Sequence, residues 1–259
     1  MLLMDYYAYN NKLSYVHPGE KFIFFAGTLT VCFALNTAIT CLAITLLMSL
    51  AVVVLSGVPW RFYLKLMLIP GLFLIVGVIT VAISIIPESG NFIWATRLGY
   101  YTIGVTNQSL DNAVDLLLRS LGAVSCLYFL SLTTPLTDIV LIMKRLRVPL
   151  LVVELITLIY RFIFILLDMA GKIYIAQSSR LGYKTAPTGF NSLSRLLLSM
   201  FIKSYRHSQA IYDSLASRCY NGDLHFFTEQ RHWSWRNIGL IIVIDGALVV
   251  CSLNAGGLA

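Results

Sequence analysis

FIFFAGTLTVCFALNTAITCLAITLLMSLAVVVLSGVPW, residues 22–60, contains no Asp, Glu, Lys or Arg. Lys21 precedes it and Arg61 follows it, so 39 consecutive residues carry no charge. A helix crossing hydrocarbon needs about 20 apolar residues, so the run is long enough for two crossings, and Asn36-Thr37 near its middle supplies a polar turn. A second uncharged run of 22 residues separates Lys65 from Glu88. Over all 259 residues only 12% are charged and 58% are hydrophobic, with a mean hydropathy of +0.79. A soluble domain carries about 25% charged residues. The composition therefore excludes a soluble enzyme, a disordered scaffold and a nucleic-acid-binding domain, and predicts a membrane protein.

Working outward, residues 20–35 and 38–57 read as two apolar helices, the first short for a span and the second ending at Ser56-Gly57 before Pro59. A third runs over 61–86, with Pro70-Gly71 expected to kink it because proline removes a backbone donor, and Pro87 stops it. Residues 88–111, with Gly90, Asn91, Gly99, Gly104 and Asn107, read as a loop holding a short amphipathic piece around Trp94. Residues 112–134, bounded by Asp111 and Pro135, form a fourth span with Arg119 inside it, and 237–253 form the last. The expected fold is an all-α membrane protein of about five transmembrane helices. It divides into 1–134 as an N-terminal four-span bundle, 135–236 as a large insertion of amphipathic helices, and 237–259 as the last span.

The net charge of +7 is concentrated in that insertion. Residues 144–236 hold 13 basic and 5 acidic residues, against 6 and 7 in the rest of the chain. Lys and Arg accumulate on the side of the membrane where they need not be translocated, so the insertion is expected in the cytoplasm and, counting spans back, so is the N-terminus. Then 17 of the 19 cations lie inside, with Arg97 outside and Arg119 within a span. The alternative, 149–169 as a further span, puts Lys144, Arg145 and Arg147 on the opposite side from the later basic residues. The first residues lack the basic start and small-residue cleavage site of a signal peptide, so the first span is expected to stay.

Motifs for covalent chemistry are sparse. Gly171-Lys172 is followed by Ile173 and lacks the first glycine of a phosphate-binding loop, so ATP is not expected to bind this chain in that manner. No H-E-x-x-H occurs. His17, His207, His225 and His232 have no i, i+4 pairing and read as surface polar groups rather than metal ligands. Cys32, Cys41, Cys126, Cys219 and Cys251 include no C-x-x-C pair and read as small hydrophobic fillers.

Two patterns remain. Glu154, Arg161 and Asp168 recur every seven residues and form one polar stripe on an otherwise apolar helix, which is either ordinary solvation or a register device. On the next helix, about 191–218, Arg195, Lys203 and Arg206 form a solvated face. The second pattern is an echo 38 residues apart: Ile173-Tyr174-x4-Ser179-Arg180 and Ile211-Tyr212-x4-Ser217-Arg218. Each arginine falls at a helix C-terminus, where a cation complements the dipole. Gly182 and Asn221-Gly222 follow as stop signals expected to supply positive φ. A planar guanidinium at an exposed helix end also suits docking into an acidic groove, and duplicated tips suggest a duplicated partner.

Ser179-Arg180-Leu181-Gly182 and Ser217-Arg218-Cys219-Tyr220-Asn221-Gly222 resemble the coupling-helix signatures, small residue, Arg, Gly, of the transmembrane coupling subunit of energy-coupling factor transporters, the EcfT/CbiQ family. Leu181 and Cys219 stand where a glycine commonly follows the arginine. Asp5-Tyr6-Tyr7-Ala8-Tyr9-Asn10-Asn11-Lys12-Leu13, continuing to His17-Pro18-Gly19-Glu20-Lys21, resembles the opening of the cobalt-type members, and the likeness covers essentially the whole length. The resemblance implies a non-catalytic subunit of an ATP-driven importer for cobalt, or a related divalent metal such as nickel, in a prokaryotic plasma (inner) membrane. Its cytoplasmic coupling helices would engage two ATP-binding-cassette ATPase subunits through Ser179, Arg180, Gly182, Ser217, Arg218 and Gly222. Those ATPases, rather than this chain, would use ATP and Mg. The apolar faces would carry a small membrane substrate-binding subunit, CbiM-like, with or without a CbiN-like one. Lipid is the remaining partner; nucleic acid is not one. A stand-alone secondary transporter or channel is the competing class, for which only Arg119 and Asp245 are intramembrane ionisable candidates. A membrane-embedded enzyme is a third.

Overall fold

The apolar runs fold as helices. The computed structural model describes all residues except 1–2, 36, 83, 87–91, 99–100, 221–232 and 257–259. The chain divides into two units, Leu2–Pro135 together with Gln230–Ala259, and Leu136–Glu229.

The first unit is a helical bundle. A short α1 (Leu3–Tyr9) and a single 3₁₀ turn (Lys12–Tyr15) lead into α2 (Pro18–Ala34). Pro18 opens α2 at a position where its missing N–H is not needed, and His17 caps it, Nδ1 accepting from Gly19 N–H at 3.0 Å. Then come α3 (Ala38–Leu50), running on through a π-helical turn at Ala51–Leu55, and α4 (Trp60–Ala82), which continues through Pro70. Gly57 takes the positive φ of 79° that ends the second apolar run, and the Lys12 side chain packs over it.

α5 (Asn107–Thr133) packs against α2, α3 and α4, and α9 (Trp235–Gly256) packs against α2 and α3. Phe24, Ile44, Met48, Val52, Phe129 and Leu132 fill the space between them. Thr28, Thr45 and Thr133 return their hydroxyls to carbonyls of their own helices at 2.8, 2.7 and 2.6 Å. This keeps polar atoms satisfied where water is scarce.

α5 begins five residues before the expected 112, because Thr106 and Ser109 form a reciprocal capping box. The loop expected over 88–111 is replaced in part by a three-stranded antiparallel sheet, β1 (Ser84–Ile86), β2 (Phe92–Leu98) and β3 (Tyr101–Thr106), in the order β1-β3-β2. Phe92, Trp94, Tyr101, Ile103 and Val105 are residue types that favour strands. Gly90, Asn91 and Gly99 of the expected loop lie outside the described residues.

The second unit holds α6 (Leu136–Arg145), α7 (Leu150–Ser179) and α8 (Ala186–Ala216). α8 starts before the expected 191: Thr185 and Thr188 form a second capping box, and Pro187 sits in the first turn rather than ahead of the helix.

Among the described residues, five helices are long and apolar enough to cross a membrane: Ala38–Leu55, Trp60–Ala82, Gln108–Thr133, Leu150–Ser179 and Trp235–Ser252. The chain is a multi-pass helical membrane protein, as its composition predicts, but the membership of the set differs. Pro18–Ala34, at 17 residues, is about 25 Å long against a hydrocarbon core of about 30 Å. Leu150–Ser179 qualifies by length and composition, although the sequence reading sets it at the cytoplasmic surface.

Candidate functional site

α7 and α8 run antiparallel. Gln177 Nε2 donates to the Ser192 carbonyl at 3.0 Å beside the connecting turn, the Phe162 and His207 rings meet edge to face at 5.5 Å midway, and Tyr220 donates its hydroxyl to Glu154 Oε2 at 2.8 Å near the far end. Arg180 therefore ends α7 at one end of the pair and Arg218 follows α8 at the other. A helix of 31 residues spans about 45 Å, which sets the scale of their separation.

The two tips share one backbone geometry. Leu181 N–H bonds the Ser178 carbonyl at 3.0 Å and Gly182 N–H bonds that of Gln177 at 2.9 Å. Cys219 N–H bonds the Ala216 carbonyl and Tyr220 N–H that of Leu215, both at 3.1 Å. Each is a Schellman motif, with the residue after the arginine in the left-handed conformation, φ 58° at Leu181 and 55° at Cys219. The expectation that Gly182 supplies the positive φ is corrected: Leu181 supplies it. Asn221 and Gly222, expected to do so in the second copy, lie outside the described residues, and there the left-handed residue is Cys219.

Gly182 is needed for closeness instead. A Cβ there would lie 2.7 Å from Ser192 Oγ and 2.9 Å from the Gln177 carbonyl oxygen. Ser192 Oγ donates to the Gly182 carbonyl at 2.8 Å, and Tyr183 donates to Gln177 Oε1 at 2.8 Å.

Ser179 and Ser217 both turn their hydroxyls back on the last helical turn, to Ile175 at 2.9 Å and Ser214 at 3.0 Å. Arg180 and Arg218 are exposed, with no carboxylate paired to either among the described residues. The motif thus stops each helix, satisfies its final carbonyls internally and leaves a guanidinium free to meet another molecule. α6 ends in the same motif, with Arg147 at φ 59° as its left-handed residue.

The polar stripe does not act as one network. Half-buried Glu154 accepts from Tyr220, Asp168 pairs with Lys172 one turn on at 2.7 Å, and Arg161 is exposed. The Asp168–Lys172 pair is an exposed i, i+4 contact of about 0.3–0.5 kcal/mol, whereas Glu154 joins the two long helices.

Charged residues that sequence reasoning left without a role appear in the bundle. Glu20 and Lys21 are 1% and 3% exposed. Glu20 accepts from Ser234 N–H and Asn237 Nδ2, both at 2.7 Å, at the start of α9, and Lys21 Nζ donates to the Thr133 carbonyl at 2.8 Å, at the end of α5. Arg119 donates to the Phe33 carbonyl at 2.8 Å, near the end of α2, with its guanidinium 5.0 Å from the Phe33 ring centroid. Each charge sits at the helix end of opposite sign, and no sequence signal marks partners so distant.

The fold defines a helical multi-pass membrane protein whose second unit pairs two long helices, each followed by an exposed arginine. The chain belongs to the CbiQ family: the family's profile, described as a cobalt transport protein, matches residues 10–232. It is 32% identical over 222 residues to the cobalt transport protein CbiQ of Salmonella typhimurium, covering 86% of this chain and 98% of that one. It is 29% identical over 220 residues to the energy-coupling factor transporter transmembrane protein EcfT of Ruminiclostridium cellulolyticum, covering 82% and 81%. A fused cobalt transport protein, CbiMQ, of Methanocorpusculum labreanum matches at 34% over 186 residues, 71% of this chain and 31% of that longer one. The protein is a component of a cobalt transporter.

Proposed function

We propose that the chain is the coupling subunit of an ATP-driven importer for cobalt, or a related divalent ion such as nickel, and that it performs no covalent chemistry. Residues 136–229 form its cytoplasmic coupling unit, the N-terminus is cytoplasmic, and two ATP-binding-cassette subunits hydrolyse ATP with Mg. A small CbiM-like membrane subunit, with or without a CbiN-like one, binds the ion. The name of the EcfT relative supports the energy-coupling context, and the fused CbiMQ relative supports a CbiM-like partner. Closure of the ATPases on ATP moves the two tips, and the movement reorients the ion-binding subunit.

The observation that carries this reading is the duplicated tip: the same Ser-Arg pair, the same two backbone bonds and a left-handed residue in the same position, at opposite ends of one antiparallel helix pair. Two equal docking groups call for two equal partners. A guanidinium presents five donors in a fixed fork, suited to a carboxylate-lined groove. The test is co-purification of the chain with its ATPases after Arg180→Ala, Arg218→Ala and both together. Each single change is expected to weaken docking by about 2–5 kcal/mol, and the double change to abolish ATP-dependent Co2+ uptake. An intact complex with normal uptake in the double variant refutes the proposal.

A further inference from the structure

The first turn of α2 grips the chain at the two points where it leaves the bundle and returns. Lys21 holds the Thr133 carbonyl at 2.8 Å, and Asn11 Nδ2 reaches the same carbonyl at 3.1 Å, just ahead of Leu136 where the other unit begins. The adjacent Glu20 holds Ser234 N–H and Asn237 Nδ2 at 2.7 Å, just after the chain re-enters. Gly19 lies so near Trp233 that a Cβ would stand 2.9 Å from its ring, and the His17 ring meets Trp233 at 4.9 Å between centroids. All of these contacts lie within the bundle unit. A buried carboxylate on a helix N-terminus and a buried ammonium on a helix C-terminus are strong and directional in dry surroundings. Because they are sequence neighbours, the outgoing and returning segments are tied to each other through a single peptide bond.

We infer that His17–Lys21 is a clasp that passes displacement of residues 136–229 to the membrane helices, with Glu20 and Lys21 as positioning residues for transport. The inference rests on the proposed coupling function. A pull on either end of the inserted unit reaches α2 within a few residues, through Thr133 on one side and Ser234 on the other, and α2 packs on both α5 and α9. Without the clasp, α5 and α9 can follow the inserted unit while α2 stays behind, so ATP is hydrolysed without moving the ion.

The experiment compares the wild-type chain with Glu20→Gln and Asn237→Ala, each assembled with its ATPases and ion-binding subunit in proteoliposomes, measuring ATP hydrolysis and Co2+ uptake together. The amide introduced by Glu20→Gln keeps one acceptor of two. Asn237→Ala removes one donor while Ser234 remains on Glu20, so the second variant leaves no new charge unpaired. Both are expected to hydrolyse ATP at the wild-type rate while Co2+ moved per ATP falls about tenfold, within the range of ordinary coupling. Hydrolysis and uptake falling in step, unchanged uptake, or failure of both variants to assemble would each overturn the clasp while leaving the coupling function standing. A wild-type chain that binds no ATPase overturns the coupling function, and the clasp with it.

Discussion

Leu181 and Cys219 hold the same left-handed backbone, φ 58° and 55°, one residue beyond Arg180 and Arg218. Side chains with a Cβ resist that region by about 1–2 kcal/mol. Leu181 is 67% exposed, so it recovers little of that cost by burial. The strain is therefore held by the two backbone bonds of each tip.

Leu181→Gly and Cys219→Gly relieve this strain but add chain freedom to the unfolded state, about 0.5–1 kcal/mol. The expected net effect is a gain of up to about 1 kcal/mol per site, raising the thermal midpoint of the detergent-solubilised chain by about 2–4 °C. Leu181→Val, β-branched at positive φ, is expected to lower it. A midpoint that falls in both glycine variants would mean that these side chains contribute more than backbone geometry.

Gly182→Ala tests closeness rather than φ. The added methyl meets Ser192 Oγ at 2.7 Å, which can rotate away, and the Gln177 carbonyl at 2.9 Å, which is fixed by its bond from Gly182 N–H. Overpacking of this kind costs about 1–3 kcal/mol. Limited proteolysis is expected to cut faster between residues 180 and 185. Gly189→Ala, whose added methyl meets only Tyr183 at 3.6 Å, serves as the neutral control. Equal cutting in the two variants would remove the reason given for Gly182.

How far the sequence can be read depends on the range of the cause. Four of the five candidate membrane helices are legible because weakly charged runs are local, whereas Leu150–Ser179 carries the polar stripe and reads as a surface helix. So is the echo at Arg180 and Arg218, because two stretches of one chain can be compared directly. The start of α8 lies ahead of its expected position although its signal is present: Thr185 and Thr188 have capping spacing, and Pro187 fits a first turn as well as a loop. The left-handed positions are hidden because leucine and cysteine avoid positive φ, which makes Gly182 the natural choice. The strands of 84–106 are masked by interspersed glycine and asparagine. Glu20 and Lys21 can be read only as part of a resemblance, since their partners lie 214 and 112 residues away and exist only once α2, α5 and α9 pack.

Gly27 and Asp245 give the remaining prediction. The Asp245 carboxylate of α9 lies over Gly27 in α2, leaving no room for a methyl there, and its Oδ1 is buried with no hydrogen-bond partner among the described residues. A lone carboxylate in a spanning helix is expensive, so this one is held in place by packing rather than by polar contacts. Gly27→Ala is expected to push it out of its seat and destabilise the bundle by about 1–3 kcal/mol. Asp245→Ala alone removes an unsatisfied polar atom and is expected to be neutral or stabilising. Combined, the two should be better than the sum of the single changes, because the alanine methyl enters the space the carboxylate leaves. A double-mutant cycle by thermal unfolding in detergent measures that coupling, expected at about 0.5–3 kcal/mol for residues in direct contact. Strict additivity would show that Gly27 and Asp245 do not compete for the same space, and the small residue in α2 would then need another explanation.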